Sequence, residues 1–361
     1  MAHAQRCKAG SEHGAEFTLI SLRSLAPAGI FALSFACAIA SLSALTPRLS
    51  ASLRHLAEEG AQYDTLFVGS SHLLNGLDPR VFDRAMAQRG LSTHSYSIAV
   101  QGMKIPQLSY LVESVLELNL PGLERLVIEP RWPLKQFEAL EQFENRDLLQ
   151  WQDFERARLS IVAAWLATER PNRKSRRILA HLHLFARNSL AVGFGRALIA
   201  DRFGDARADE SSTLIANRGF RALRFEDEDE PGAFAAARDE YERRLSRHRR
   251  TVSRMGDRVA SDRAGRFKVA AVHALIERVA DAGVKPIVLM FPTLGGAWRY
   301  YDRDFVERLG VVIEFDDPAT WPELYDPTWR VNYNHFEAQG AVRFSQIVAE
   351  TLADRLGAES P

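Results

Sequence analysis

The sequence is poor in cysteine, and this scarcity excludes several kinds of site. Only two of the 361 residues are cysteines, Cys7 and Cys37, and both precede the part of the chain expected to fold around a core. The region after residue 45 therefore has no disulfide, no thiolate metal site and no cysteine nucleophile. It also lacks a glycine-rich phosphate loop, a zinc motif and a dinucleotide fingerprint, so we expect neither a metal nor a cofactor.

The chain also lacks net charge. Lysine plus arginine number 46, and aspartate plus glutamate number 46. This balance gives no overall electric field that would favour nucleic acid, and we expect no nucleic-acid partner. With 46% hydrophobic and 25% charged residues, the chain can bury a full core as one large domain or two smaller ones.

The sequence has few long uncharged stretches. The one that stands out is residues 25–45, which read LAPAGIFALSFACAIASLSAL. At about 1.5 Å per residue, a helix of this length spans the hydrocarbon core of a bilayer. We expect an uncleaved transmembrane anchor. A cleaved signal peptide is the alternative, with Ser43-Ala44 near a cleavage site, whereas lipidation at Cys37 is disfavoured by the bulky Phe35 before it.

Basic residues near the apolar stretch indicate its orientation. Arg6, Lys8 and Arg23 precede it, and Arg48 and Arg54 follow it. Because positive residues favour the cytoplasmic side, we expect residues 1–24 to be cytoplasmic. The remainder, residues 51–361, would then lie on the extracytoplasmic side of the inner (cytoplasmic) membrane as the soluble domain of a single-pass protein.

Apolar runs and helical patterns alternate in the domain. Strands are predicted at 63–69, 93–100, 123–129, 284–291 and 309–315, and helices at 79–90, 106–118, 266–282 and 337–356. Alternation of this kind is typical of a parallel sheet covered on both faces. We expect an α/β fold, a flavodoxin-like three-layer sandwich with about five parallel strands.

The alternation stops between about 135 and 265, which predicts a helical insertion. It carries a basic run at 170–177 and an acidic run at 226–230. Solvated helix faces and loops explain both runs, and a lid or a docking surface for a partner protein is the alternative.

The first strand ends in Gly69-Ser70-Ser71-His72. Open α/β sheets bind their ligands at the carboxyl edge, where this turn is expected. A serine on a tight strand-to-helix turn exposes its hydroxyl beside backbone N–H groups that can stabilise an oxyanion, as acyl transfer requires. Alternatively, the serines serve only as a helix N-cap.

A second chemical element, Asn332-Tyr-Asn-His335, precedes the final helix. A histidine on such a loop can reach the sheet edge and act as the base that activates a serine hydroxyl. Taken alone, a histidine at this position is more often an ordinary surface or capping residue.

Together the two elements resemble the SGNH/GDSL hydrolase superfamily, over about residues 62–134 and 266–356. The resemblance lies in Gly-x-Ser after the first strand and in a histidine, His335, followed five residues later by Gly340. The stretch from Phe67 to Pro79 is similar to the cell-envelope branch that includes alginate O-acetylation and teichoic acid D-alanylation proteins. The resemblance implies Ser71 as nucleophile, His335 as base and Gly102, in Ala-Val-Gln-Gly102, as an oxyanion donor.

The chain departs from the family pattern at several positions. Ser70 replaces the aspartate of Gly-Asp-Ser, and both Ser70 and the neighbouring His72 are candidates for oxyanion or substrate binding. The asparagine expected after the third strand is missing from Glu129-Pro130-Arg131-Trp132. Arg131 either replaces that donor, binds an acidic sugar or phosphate, or pairs with a carboxylate such as Glu129.

A further departure is Asn332, which occupies the position of the aspartate that orients the histidine. In serine proteases, exchanging the orienting aspartate for asparagine lowers turnover about 10⁴-fold because the wrong tautomer is held. Three outcomes remain open: a slow serine–histidine dyad, another carboxylate such as Asp326 in this role, or a degenerate site.

We therefore expect a membrane-anchored enzyme that transfers an acyl group, expected to be acetyl, through Ser71 to an exported polysaccharide or cell-wall polymer. The resemblance implies a multi-span membrane-bound O-acyltransferase as a possible partner. Two alternatives are an extracytoplasmic esterase with the same residues and a catalytically inert binding or partner module.

Overall fold

The computed structural model describes most of the chain in separate ranges. These are residues 22–45, 51–103, 105–130, 212–224, 238–255, 259, 263–294 and 301–358, with isolated positions between 162 and 186. The chain divides into two compact units, Met1–Thr46 and Pro47–Pro361.

The first unit contains one helix, α1 (Leu22–Leu45), within its described part. Side chains of α1 are described for residues 27 and 29–41, and nearly all of them are exposed. Across the described residues, no helix is long and apolar enough to cross a membrane. The anchor at 25–45 stays a prediction from the sequence.

The second unit is built on a five-stranded, all-parallel sheet, which confirms the α/β class and the expected strand number. The strands are β1 (Thr65–Val68), β2 (Ser95–Ser97), β3 (Arg125–Ile128), β4 (Lys285–Met290) and β5 (Val311–Glu314). Their order is β2-β1-β3-β4-β5, so the direction of winding reverses between β1 and β3. Doubly wound sheets open a crevice at that point, outside the carboxyl ends of the strands.

Helices flank both faces of the sheet. Among the described residues, the second unit contains helices α2 (Ala51–Glu59), α3 (Ser71–Gly76), α4 (Pro79–Gln88), α5 (Ile105–Glu117), α6 (Arg238–Met255), α7 (Arg263–Asp281), α8 (Arg303–Glu307) and α9 (Ala338–Ala358). Short 3₁₀ turns lie at Gly60–Gln62, Pro322–Tyr325 and Pro327–Trp329.

Alternation of side chains along the strands separates the core into two layers. Phe67 of β1 points into one layer, which also contains residues of α4, α6 and α9 such as Phe82, Leu245 and Phe344. Its neighbours Leu66 and Val68 point into the other, formed with α2, α5 and α7. Because parallel strands covered on both faces must be apolar on both sides, the strands read as continuous hydrophobic runs.

The expected insertion at 135–265 contributes directly to this core. Phe220, Tyr241 and Leu245 are buried among residues of the first layer. Within the described segment 212–224, Arg218 contacts the outer side of β2, where the Ser97 N–H donates to the Arg218 carbonyl over 2.9 Å. This part of the insertion is therefore packed against the sheet. The basic and acidic runs at 170–177 and 226–230 lie mostly or wholly outside the described residues.

Candidate active site

The turn after β1 places Ser71 at the start of a helix. Ser70 is the N-cap of α3, and its hydroxyl accepts the His72 N–H over 3.3 Å. A Cβ at Gly69 would lie 2.6 Å from a Leu73 methyl and 2.7 Å from a Glu129 oxygen. Position 69 has no room for a side chain. Because glycine has none, the chain can pass close to Leu73 and Glu129 there and begin the helix at Ser71.

The structure brings Ser71 and His335 together, although 264 positions separate them in the chain. The distance between Ser71 Oγ and His335 Nε2 is 2.9 Å. This is hydrogen-bonding distance, which a base needs in order to take the hydroxyl proton. The pair lies at the carboxyl edge of the sheet, beside the reversal between β1 and β3.

Asn332 contacts the other nitrogen of the ring. Its Oδ1 lies 3.1 Å from His335 Nδ1, and it also accepts the backbone N–H groups of Asn334 (2.9 Å) and His335 (3.0 Å). Backbone N–H groups can only donate, so the amide oxygen and not its NH₂ must face this cluster. The hydrogen-bond network thereby assigns the proton to Nδ1 and leaves Nε2 as the acceptor for Ser71.

This arrangement addresses the tautomer problem raised by the sequence. An asparagine oxygen held by two backbone donors keeps the histidine in the tautomer that a general base needs. What the amide does not provide is a negative charge to stabilise the imidazolium. Asp326, the alternative carboxylate, accepts the Thr328 N–H (2.8 Å) and hydroxyl (2.7 Å). These bonds hold the pKa of Asp326 below its usual value.

The loop that carries His335 is anchored by Arg330, whose side chain is fully buried. Its Nη2 donates to the carbonyls of Leu324 (2.6 Å) and Pro292 (2.8 Å), and the guanidinium lies 4.6 Å from the Phe336 ring centre. Burial lowers the pKa of Arg330. An antiparallel bridge between Arg330 and Phe336 closes the loop around Asn332 and His335.

Gly340 has a packing role that explains its spacing from His335. A Cβ at this position would lie 2.3 Å from the Trp329 carbonyl oxygen. The first turn of α9 therefore packs directly on the chain segment before the histidine loop. A glycine at this spacing lets the loop and the helix approach closely.

Gly102 lies in the turn after β2, which contacts the end of β1 through Val100. The Val100 N–H donates to the Gly69 carbonyl over 2.9 Å, and the Met103 N–H donates to the Val100 carbonyl over 3.2 Å. Gly102 has φ of +71°, a left-handed conformation that favours glycine. Arg131, the other expected oxyanion or substrate-binding residue, lies outside the described residues.

Ser70 and His72 belong to a buried network centred on Glu129. Glu129 Oε2 accepts the Ser70 N–H (2.7 Å) and hydroxyl (2.9 Å), and Oε1 lies 2.7 Å from His72 Nδ1. The His72 ring stacks on Phe291 at 4.9 Å and lies 5.5 Å from the His335 ring. Ser70 and His72 were expected to bind substrate, and the structure places both inside this network, at 8% and 3% exposure.

Sequence reasoning considered Glu129 only as a partner for Arg131 and missed its link to the nucleophile turn. A signal was present, because an acidic residue directly after a buried parallel strand must find donors at the sheet edge. The neighbouring strand β1 supplies them at the Ser-Ser-His turn.

Comparison with known proteins adds no assignment at this point. A scan against models of protein families finds no match to this chain, and a search of curated proteins finds no similar sequence.

Proposed function

We propose that the chain is an SGNH-like serine acyltransferase, which moves an acyl group, acetyl in the simplest case, through Ser71 to a hydroxyl of an exported polysaccharide or cell-wall polymer. The observation that carries the proposal is the 2.9 Å contact between Ser71 Oγ and His335 Nε2. Support comes from the network at Asn332, which holds His335 in the required tautomer.

In the first half-reaction, Ser71 Oγ attacks the acyl carbonyl while His335 Nε2 takes the hydroxyl proton. The tetrahedral oxyanion would be held by the N–H groups of Ser71 and Gly102, with Arg131 as a further donor. His335 then returns its proton to the leaving group, and the acyl-serine remains. In the second half-reaction, His335 takes the proton of the acceptor hydroxyl, whose oxygen attacks the acyl-serine ester. The bond to Ser71 Oγ breaks, and His335 returns the proton to that oxygen.

The membrane anchor is part of the proposal. Ile30, Phe31 and Leu33 of α1 are between 66% and 71% exposed, and apolar side chains exposed in this way are suited to a lipid environment. We place the enzyme in the inner membrane with its catalytic domain outside, beside a multi-span O-acyltransferase that would supply the acyl group. Protease accessibility in spheroplasts tests the orientation, and sequencing of the mature N-terminus distinguishes an anchor from a signal peptide.

The experiment that tests the chemistry uses the full chain purified in detergent and p-nitrophenyl acetate as donor. We expect release of nitrophenol and a mass increase of one acetyl group on Ser71. Ser71→Ala removes the acyl-serine, and His335→Ala slows its formation by on the order of 10³-fold or more. Adding an oligosaccharide acceptor separates transfer from hydrolysis, since an esterase passes the acetyl group only to water.

A folded wild-type chain that neither turns over the ester nor becomes acetylated would overturn the enzymatic proposal. That result would favour the inert binding module, for which the missing charge at Asn332 is the supporting observation.

A further inference from the structure

The residues on both sides of Ser71 are tied to one buried carboxylate. Ser70 precedes the nucleophile and donates its N–H and its hydroxyl to Glu129 Oε2, over 2.7 and 2.9 Å. His72 follows the nucleophile, and its Nδ1 lies 2.7 Å from Glu129 Oε1. The Glu129 side chain is only 2% exposed, so these bonds form in an environment with little water.

The sheet brings the carboxylate to this position. In the register of β1 and β3, Val68 lies opposite Ile128, so Glu129 follows β3 at the level where Gly69 follows β1. The Glu129 N–H also donates to the Val68 carbonyl over 3.0 Å. The carboxylate lies over Gly69, where a Cβ would approach Oε2 to 2.7 Å. Gly69 and Glu129 are therefore matched across the two strands.

Such a carboxylate restrains the turn because leaving it unsatisfied would be costly. A buried carboxylate is tolerated only when donors surround it. The Ser70 N–H, the Ser70 hydroxyl and the imidazole provide those donors, and all three would have to break for the turn to move. The backbone of residues 70–72 sets the direction of the Ser71 side chain, so the carboxylate acts on the nucleophile without touching it.

We propose that Glu129 is the positioning residue of the nucleophile: it fixes Ser70 and His72 so that Ser71 Oγ meets His335 Nε2. This inference rests on the proposed role of Ser71. It gives His72 a structural task as the donor that holds the second carboxylate oxygen.

Variants at Glu129 and His72 test the proposal. In Glu129→Gln the negative charge is lost and one of the two acceptor oxygens becomes an NH₂ donor, so the bonds that hold the Ser70 N–H and hydroxyl weaken. We expect kcat to fall about 10- to 100-fold while KM changes less than about twofold, because the transition state depends on alignment more than substrate binding does. His72→Asn keeps a donor near the Nδ1 position and should retain most of kcat, whereas His72→Leu loses it.

Asp83 offers a matched control. Its carboxylate accepts the Thr93 hydroxyl (2.9 Å), the Ser95 hydroxyl (2.7 Å) and the Ser95 N–H (3.1 Å). This cluster lies at the amino end of β2, whereas Ser71 lies beyond the carboxyl end of β1, at the opposite end of the strands. Asp83→Asn should lower the melting temperature and leave kcat unchanged. Equal kcat losses in Asp83→Asn and Glu129→Gln would show general destabilisation and overturn the proposal.

Amide hydrogen exchange provides a readout that does not need activity. The Ser70 N–H should exchange slowly in the full chain in detergent, faster in Glu129→Gln and at the wild-type rate in His72→Asn. An inactive wild type with this exchange pattern would refute the proposed function while leaving the restraint of the turn intact. An active wild type whose kcat and Ser70 exchange are unchanged in Glu129→Gln would refute the positioning role alone.

Discussion

Replacing Asn332 with aspartate should increase activity. The introduced carboxylate would still accept the N–H groups of Asn334 and His335, since aspartate and asparagine form the same turn with the following backbone. It would also accept the proton on His335 Nδ1, as the amide oxygen does at 3.1 Å. The difference is a negative charge next to the ring that becomes positive during the reaction.

The size of the effect follows from Coulomb's law. Opposite charges about 4 Å apart interact by about 4 kcal/mol at an effective dielectric constant of about 20. Asn332 and His335 are only partly buried, so solvent screening reduces the gain to about 1–2 kcal/mol. Since each 1.4 kcal/mol changes a rate about tenfold, kcat/KM should increase about 5- to 30-fold.

Steady-state hydrolysis of p-nitrophenyl acetate by the full chain measures this effect. Asn332→Ser is the matched variant, because its hydroxyl can accept the backbone N–H groups but is too short to hold the ring, and we expect kcat to fall by on the order of 10²-fold. Asp326→Asn should leave kcat/KM near the wild-type value. A large loss in Asp326→Asn together with no gain in Asn332→Asp would refute the assignment of Asn332 as the orienting residue.

Three further predictions concern glycines and a buried histidine. Gly340→Ala should destabilise the chain by about 2 kcal/mol or more through overpacking, whereas Gly357→Ala in the same helix, where a Cβ meets nothing within 4 Å, should be neutral or slightly stabilising; thermal unfolding compares the two. Gly102 and Gly90 both have positive φ, so alanine at either position should destabilise the fold by about 1 kcal/mol. Only Gly102→Ala should also lower kcat. Equal kcat values in the two variants would argue against an oxyanion role for Gly102. Burial lowers the pKa of His248 below 6.5, so the unfolded chain binds a proton there that the folded chain does not, and the free energy of unfolding should fall as the pH drops below about 6.5. His248→Gln should flatten that dependence in urea titrations between about pH 5 and 7.

The sheet could be predicted from the sequence because its signals are local. Each buried strand is a short apolar run, and the helices between strands show their own periodicity. The boundaries were less predictable: β2 was expected at 93–100 and forms only at Ser95–Ser97. The start of α9 at Ala338 lies within one residue of the expected helix at 337–356.

The contact between Ser71 and His335 was also accessible from the sequence. Both residues were expected to lie at the carboxyl edge of one parallel sheet, where distant parts of a chain converge. For Glu129 the sequence shows only an acidic residue directly after a buried strand; its partners Ser70 and His72 could not be predicted, because they depend on the register between β1 and β3. The orientation of the Asn332 amide is likewise set by two backbone N–H groups whose direction only the folded loop defines.

The contribution of residues 135–265 to the core was not predicted from the sequence. The charge runs of this segment gave no sign that Phe220, Tyr241 and Leu245 are buried in the core. Tyr241 and Leu245 lie on α6, whose sequence is dominated by charged residues, and Phe220 lies on a short segment without a long apolar run, so one sequence alone does not reveal their burial.

The contact of Arg218 and Gly219 with the edge strand β2 has a consequence for solubility. An edge strand with free N–H and carbonyl groups is a template on which other chains can pair and aggregate. Here the Arg218 carbonyl accepts a hydrogen bond from the outward-facing N–H of Ser97. The backbone at Gly219 lies so close to β2 that a Cβ there would be 1.7 Å from the Ser97 carbonyl oxygen. Removing residues 135–265 to obtain a minimal catalytic domain would uncover this edge, and the shortened protein should assemble into β-rich aggregates before its activity could be measured.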